Sequence, residues 1–300
     1  MRWHVRERST PAPPKRTKTE HTDHGGAPAP FSFADMKILF TDLDGTLLNK
    51  QSLITEKTAD FLRSFTDGGN LLVPASGRPL LSIQKLLYTT GLTDMVRYIV
   101  AYNGALIWDC KADAPAWSTR IPFECAGKIQ KICIDRMIHI QTYNHETVYT
   151  VTEDMAINYY KKRIFLPVVY TSDPMGMCDE EPFKMLAIDL EDHDRLCKLA
   201  NDLAPLIGNE VSMVFSNPYY LEFFNKKAGK GNAVVELCKL LDVPITDSYA
   251  AGDEENDISM IKAAGCGIAM ANATAPVKDA ADVITGSDND HDGLIRFLSS

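Results

Sequence analysis

The run Lys37-Ile38-Leu39-Phe40-Thr41-Asp42-Leu43-Asp44-Gly45-Thr46 constrains this chain more than any other stretch. A short apolar segment brings two carboxylates, one residue apart, to a glycine turn. Apolar runs of about four to eight residues that stop at a turn read as buried strands. Acids at the end of a buried strand are costly unless a cation or a proton neutralises them. The carboxyl ends of strands are also where open α/β sheets bind ligands. The feature predicts a cation site and a candidate nucleophile at a sheet edge.

Composition narrows the classes. Three hundred residues allow one large domain or two ordinary ones. Hydrophobic content of 45% and charged content of 24% are those of a soluble globular protein. No apolar run approaches the roughly 18 residues that span a bilayer, so no membrane partner is expected. A net charge of −9 argues against nucleic acid held through its phosphates. A phosphorylated substrate remains compatible, because a bound metal reverses the local field. The seven cysteines are scattered and never spaced C-x-x-C. They read as reduced thiols of a cytoplasmic protein, not as a disulfide or zinc framework.

Residues 1–35 mix Arg2, Arg6, Arg8, Lys15, Arg16 and Lys18 with five prolines and show no hydrophobic periodicity. They are expected to be a disordered extension. They lack the apolar stretch of a secretory signal, and Met36 sits directly before the first strand as a natural start.

From Lys37 onward, strand-like runs alternate with helical patterns. Lys37–Thr41, Leu71–Val73 and Tyr98–Ala101 read as strands, with helices at Thr55–Asp67 and Leu80–Tyr88. Asn103-Gly104 is a hairpin turn signal. The far end repeats the style, with a helix at Gly231–Leu241, a strand at Ser248–Ala251 and a helix at Asp257–Ala264. Such alternation implies right-handed βαβ units and a parallel sheet. The middle differs. Helical patterns at Ala126–Met137 and Asp192–Ile207 lie among strands with period-two alternation, an α+β arrangement with antiparallel pairing. The expected organisation is an α/β core from 36–112 and 223–300, with an α+β cap inserted at 113–222 and placed to act as a lid.

Four elements would converge at the carboxyl edge of the sheet: Asp42-Leu43-Asp44-Gly45-Thr46; Ser76-Gly77-Arg78; Lys230-Gly231; and Gly252-Asp253-Glu254-Glu255-Asn256-Asp257. Each alone has a plainer reading. Ser76 reads as a helix N-cap, Lys230 as a solvated surface lysine, and the acids of 253–257 as a cluster favoured by a helix dipole. A hydroxyl, a lysine and two acidic clusters, each at a strand-to-helix junction, are far less easily explained together.

In this order the motifs resemble those of the haloacid dehalogenase superfamily, most closely the Cof-type branch with a type IIB α+β cap. The resemblance covers about residues 36–300. Gly267-Ile268-Ala269-Met270-Ala271-Asn272-Ala273 and Ala281-Asp282 also resemble that branch. Ser76 stands where the branch more often has threonine, and it supplies the same hydroxyl.

The resemblance implies a Rossmann-like core and an Mg²⁺-dependent phosphatase. Asp42 would be the nucleophile, forming an aspartyl-phosphate. Asp44 would be the general acid for the leaving alcohol and then the base for water. Asp42, Asp253 and the backbone carbonyl of Asp44 would ligate the metal, since oxygen-only ligands suit a hard cation. The Leu43 and Gly77 backbone N–H groups, Ser76, Lys230 and Asn256 would bind phosphate, and Asp257 would partner Lys230.

The expected substrate is a small phosphorylated metabolite of the sugar phosphate, nucleotide or pyridoxal phosphate type, and the protein a monomer or homodimer. A phosphosugar mutase shares the aspartyl-phosphate chemistry. A non-catalytic phospholigand-binding protein has no need for both Asp42 and Asp44. Tyr143, Tyr159, Tyr160, Lys161 and Tyr219 are candidate cap contacts to the substrate. Arg78 reads as a substrate contact or a structural ion pair, and Asn103 as a turn residue.

Overall fold

Strand β1 (Ile38–Thr41) is buried along its whole length. In the computed structural model, which describes residues 36–299 apart from residue 145 and residues 162–164, it is the penultimate strand of a five-stranded parallel sheet. The order is β14 (Val283–Ile284), β13 (Cys266–Ala269), β12 (Ser248–Gly252), β1, β2 (Leu71–Pro74). Residues 1–35, expected to be disordered, lie outside the described residues. β1 carries no polar alternation because both of its faces are covered. Leu39 packs with α1 (Glu56–Asp67) and α2 (Leu80–Thr89) through Leu62, Phe65, Ile83 and Leu87. Ile38 and Phe40 face Ala233, Val234 and Leu237 of α6 (Lys230–Leu240). Thr55 caps α1 by accepting the Thr58 N–H at 3.1 Å, a contact worth about 1 kcal/mol.

The register sets up the site. Thr41 pairs with Pro74 on one side and Ala251 on the other. The residues that follow β1, β2 and β12 therefore leave the same edge side by side, as the sequence predicts. β3 (Tyr98–Ala101), β4 (Leu106–Asp109) and β5 (Ala114–Ser118) form an antiparallel sheet. Bridges Leu72–Val96 and Ala75–Val100 tie it to β2. The predicted β3–β4 turn is present, with Tyr102, Asn103 and Gly104 all at positive φ (50°, 58° and 91°). A Cβ on Gly104 would meet the Gly229 carbonyl oxygen at 2.2 Å, so glycine is required where this turn touches the start of α6.

The third sheet runs β10 (Val211–Asn217), β11 (Tyr220–Asn225), β9 (Lys184–Ile188), β6 (His139–Tyr143), β7 (Val148–Thr150), β8 (Val168–Tyr170). α3 (Phe123–Asp135) and α5 (His193–Ile207) cover one face through Ile129, Cys133, Leu196, Leu199 and Leu203. The opposite face joins the cluster that includes Tyr102 and Leu106 through Tyr143, Phe183, Leu186 and Tyr220, together with Tyr160 of α4 (Met155–Tyr160). α7 (Ile258–Ala263), α8 (Ala275–Ala280) and α9 (Gly293–Leu298) complete the chain.

The expected boundary at 113 falls in the turn between β4 and β5, and that at 222 falls within β11. β5 is the third strand of the β3–β4 sheet, and β11 extends to Asn225. β5 (Ala-Pro-Ala-Trp-Ser) carries no strand pattern in its sequence because it is a half-exposed edge strand, where proline is tolerated. β8, α4 and α8, of three, six and six residues, are too short to show a period. All seven cysteines are free thiols, as expected. No helix among the described residues is long and apolar enough to cross a membrane.

Candidate active site

Asp42 follows β1 directly, and its N–H donates to the Ala251 carbonyl at 2.9 Å. Sheet bonding thus continues one residue past the strand and fixes the first carboxylate beside β12. Lys230, the first residue of α6, reaches that carboxylate: Nζ lies 2.5 Å from Asp42 Oδ1 and 2.5 Å from Asp257 Oδ1. Lys230 and Asp257 are fully buried, and Asp42 nearly so. The surface-lysine reading of Lys230 is therefore excluded. Asp257 Oδ2 accepts the N–H groups of Asp253 and Glu254 at 3.0 and 3.1 Å. Asp257 thereby shapes the loop that presents Asp253. Asp253 Oδ1 in turn accepts from the Thr46 hydroxyl at 2.7 Å.

Electrostatics follow from this crowding. Burial raises the Asp42 carboxyl, and Asp257 and Asp253 add to the effect, while Lys230 opposes it. Burial alone would lower Lys230, yet Asp42 and Asp257 more than offset it and hold the ammonium charged. The two directions compete for one contact, since a neutral Asp42 forfeits half of the ion pairing. The charged lysine prevails, because it has two carboxylates at hydrogen-bond distance and no solvent. Burial pushes Asp253 up to about 6.

The oxygen atoms of Asp42, Asp253 and Asp257 come within 4.8 Å of one another. Asp257 is committed to Lys230 and two backbone N–H groups. Asp42 and Asp253 each direct one oxygen to a protein partner. A Cβ on Gly45, which has φ 81°, would lie 2.3 Å from Asp253 Oδ2. The bare glycine keeps that oxygen uncovered. An all-oxygen donor set with carboxyls raised by burial and by one another fits a hard divalent cation such as Mg²⁺. Asp42 and Asp253 would hold it.

Asp44 is placed differently. Both of its oxygens are gripped by Arg78, Oδ2 by Nε at 2.7 Å and Oδ1 by Nη2 at 2.9 Å. Its side chain is half exposed. Leu43, between the two acids, is fully buried in the core, as strand alternation requires. Ser76 is buried after β2, and its Oγ accepts the Arg78 N–H at 3.2 Å. A Cβ on Gly77 would have Asn103 Oδ1 as its neighbour at 3.8 Å. Asn256 Nδ2 donates to that same oxygen at 3.3 Å.

Thr46 and Asn272 escape sequence reasoning, while Arg78, read as a substrate contact or ion pair, and Asn103, read as a turn residue, have partners that the sequence does not name. Asn103 is a turn residue whose amide also reaches Asn256. Arg78 is partner to Asp44. Thr46 holds Asp253. Asn272 donates to the Gly45 carbonyl at 2.8 Å and pins the turn. Their signals exist, since Thr46 closes the opening motif and Asn272 lies in the Gly267–Ala273 run, but neither spacing names its partner. Of the cap candidates, Tyr143 and Tyr160 are buried, whereas Tyr159 and Tyr219 are exposed.

A parallel sheet whose edge gathers a lysine, three aspartates and a serine defines a class of enzyme, and the comparisons agree. The chain belongs to the haloacid dehalogenase-like hydrolases, the family it matches over residues 39–298. It is 27% identical to the 5-amino-6-(5-phospho-D-ribitylamino)uracil phosphatase YcsE of Bacillus subtilis, across 88% of this chain and 95% of that protein. A haloacid dehalogenase-like hydrolase from Bacteroides thetaiotaomicron superposes with a TM-score of 0.80 at 28% identity, covering 88% of this chain and 98% of that one. The subclass IIB sugar phosphatase BT4131 shares the fold at 22% identity, with a TM-score of 0.72 over 87% and 97% of the two chains.

Proposed function

We propose that this protein is an Mg²⁺-dependent phosphatase of small phosphorylated metabolites that works through an aspartyl-phosphate on Asp42. The observation that carries the reading is the buried Asp42–Lys230–Asp257 chain beside Asp253. A carboxylate used as a nucleophile on a phosphate must be fixed and screened from its target's charge. Lys230 does both, since its ammonium has no freedom to turn away. Bound Mg²⁺ would supply further charge neutralisation between Asp42, Asp253 and the phosphoryl oxygens.

Asp42 attacks phosphorus and the bond to the alcohol breaks, with Asp44 supplying the proton. Ser76 and the N–H groups of Leu43 and Gly77 receive phosphoryl oxygens, and Asn256, steadied by Asn103, stands beside them. Asp257 orients Lys230. The residues between β5 and α6, centred on the six-stranded sheet, act as a cap that recognises the remainder of the substrate. The names of two relatives, which carry a phosphoribityl group and a sugar, favour a phosphorylated polyol or sugar.

The test is steady-state hydrolysis of an aryl phosphate with and without Mg²⁺, in the wild type and in Asp42→Asn. Metal-dependent turnover that vanishes in the variant is expected. Turnover surviving Asp42→Asn would remove the nucleophile assignment.

A further inference from the structure

Arg78 is anchored on both sides of its own peptide. Its N–H donates to Ser76 Oγ at 3.2 Å, and its carbonyl accepts the Tyr102 N–H at 3.0 Å. The neighbouring Asn103 N–H donates to the Ser76 carbonyl at 3.0 Å. The left-handed turn at Tyr102-Asn103 therefore clamps the loop from which the guanidinium projects. From that fixed base, Nε and Nη2 take both oxygens of Asp44, at 2.7 and 2.9 Å.

This pair does little for stability. Its side chains are 30% and 49% exposed, and ion pairs in such settings contribute about 0–1 kcal/mol. What a two-point fork adds is orientation. A carboxylate held at both oxygens by N–H donors has its plane fixed, and each oxygen keeps a lone pair for a further hydrogen bond, such as one from water. Asp44 is two residues from Asp42, in the turn that follows β1.

We propose that Arg78 is the positioning residue that presents Asp44 as the base for the hydrolytic water in the second half of the reaction. The proposal rests on the aspartyl-phosphate reading above. In that step the water oxygen bonds to phosphorus. The bond from phosphorus to the Asp42 oxygen breaks, and its electron pair returns to the Asp42 carboxylate. The proton of the water passes to Asp44, and inorganic phosphate leaves. The proton gained by Asp44 then serves the leaving alcohol of the next turnover, for which one arm of the fork must let go.

The experiment compares wild type, Arg78→Gln and Arg78→Lys on 4-nitrophenyl phosphate with Mg²⁺, by steady-state and rapid-mixing kinetics. Nitrophenolate leaves without help from an acid, so formation of the aspartyl-phosphate is spared. Arg78→Gln is expected to lower kcat by about 10- to 100-fold and to lower KM with it, leaving kcat/KM within about threefold. An initial burst of nitrophenol should precede the slow steady state. Arg78→Lys keeps the charge without the fork and should fall between the two. A lower kcat/KM with no burst, or a kcat within twofold of wild type, would overturn the proposal. Metal-dependent turnover that persists in Asp42→Asn, or no turnover in the wild type, would instead bring down the aspartyl-phosphate reading, and this inference with it.

Discussion

Lys230 Nζ lies 2.5 Å from Asp42 Oδ1, although the two residues are separated by 188 positions in sequence. One is the first residue after β1 and the other is the first residue of α6. The contact spans the whole intervening six-stranded sheet in sequence, yet it depends only on the parallel register of β1 and β12 and on the packing of α6 against Phe40. The role expected of Asp42 passes through that ammonium.

Lys230→Met keeps the bulk and removes the charge. It leaves Asp42 and Asp257 facing each other in a buried space, which costs about 3–5 kcal/mol when one partner of a buried pair is lost. Loss of an electrostatic stabiliser at the reacting centre lowers kcat by about 100- to 1,000-fold. Urea unfolding and aryl phosphate turnover measure the two effects. A variant that keeps wild-type kcat would mean Lys230 has a structural role only.

Gly45→Ala tests the turn. The backbone there has φ 81°, and the new methyl would lie 2.3 Å from Asp253 Oδ2. The left-handed conformation alone costs alanine about 1–2 kcal/mol, and the methyl forces Asp253 aside. The expected result is a lower melting temperature with metal-dependent activity reduced more than tenfold. Raised Mg²⁺ should restore part of the activity if Asp253 is the displaced group.

Much of this site is legible in the sequence, and the reason is local. Asp42, Ser76 and Asp253 follow strands of the parallel sheet, which brings them to one edge, and Lys230 opens the helix that packs against that sheet. What one sequence leaves open is pairing between side chains. Nothing in the spacing says that Arg78 grips Asp44, that Thr46 holds Asp253, or that Asn103, which makes the hairpin turn, also meets Asn256. The limits expected for the cap are hard to read for a similar reason. β5 is set by pairing with β4, and its own Ala-Pro-Ala-Trp-Ser carries no strand pattern.

The pH response without metal has a definite sign. Burial raises the Asp253 carboxyl from 3.8 to about 6. The folded state thus binds a proton that the unfolded state releases over this interval, so stability falls as pH rises through it. The contribution is fully present below pH 3.8 and gone above about pH 6. Thermal melts in chelator at several pH values should show the decline, and Asp253→Asn should flatten it. An unchanged slope in the variant would assign the effect to another group.

Added Mg²⁺ should reverse that trend, because it binds the ionised carboxylates of the folded chain. A ligand present at about 100 times its Kd stabilises by roughly 2.7 kcal/mol. The melting temperature near neutral pH should rise with Mg²⁺ in the wild type and hardly at all in Asp253→Asn. Equal shifts in both proteins would place the cation elsewhere. This readout needs no substrate and so stands apart from turnover.

The junction between the six-stranded sheet and the core offers a last test. Phe183 stacks on Tyr102 with ring centroids 5.1 Å apart, and the Arg120 guanidinium lies 3.9 Å from the centre of the same ring. The Tyr102 hydroxyl donates to the Asn144 carbonyl at 3.0 Å. Tyr102 also begins the turn that steadies Arg78, so the contact couples packing of the six-stranded sheet to the loop that carries Arg78. Phe183→Ala empties a buried aromatic position and should cost about 3–5 kcal/mol. Tyr102→Phe keeps the ring stack and strands one buried carbonyl, for a cost of about 1–3 kcal/mol. Denaturant unfolding of both variants and of the double variant gives their coupling. Strict additivity would show that stacking and hydrogen bond act independently, whereas a non-additive term of about 0.5 kcal/mol or more would identify Tyr102 as the residue through which the two contacts communicate.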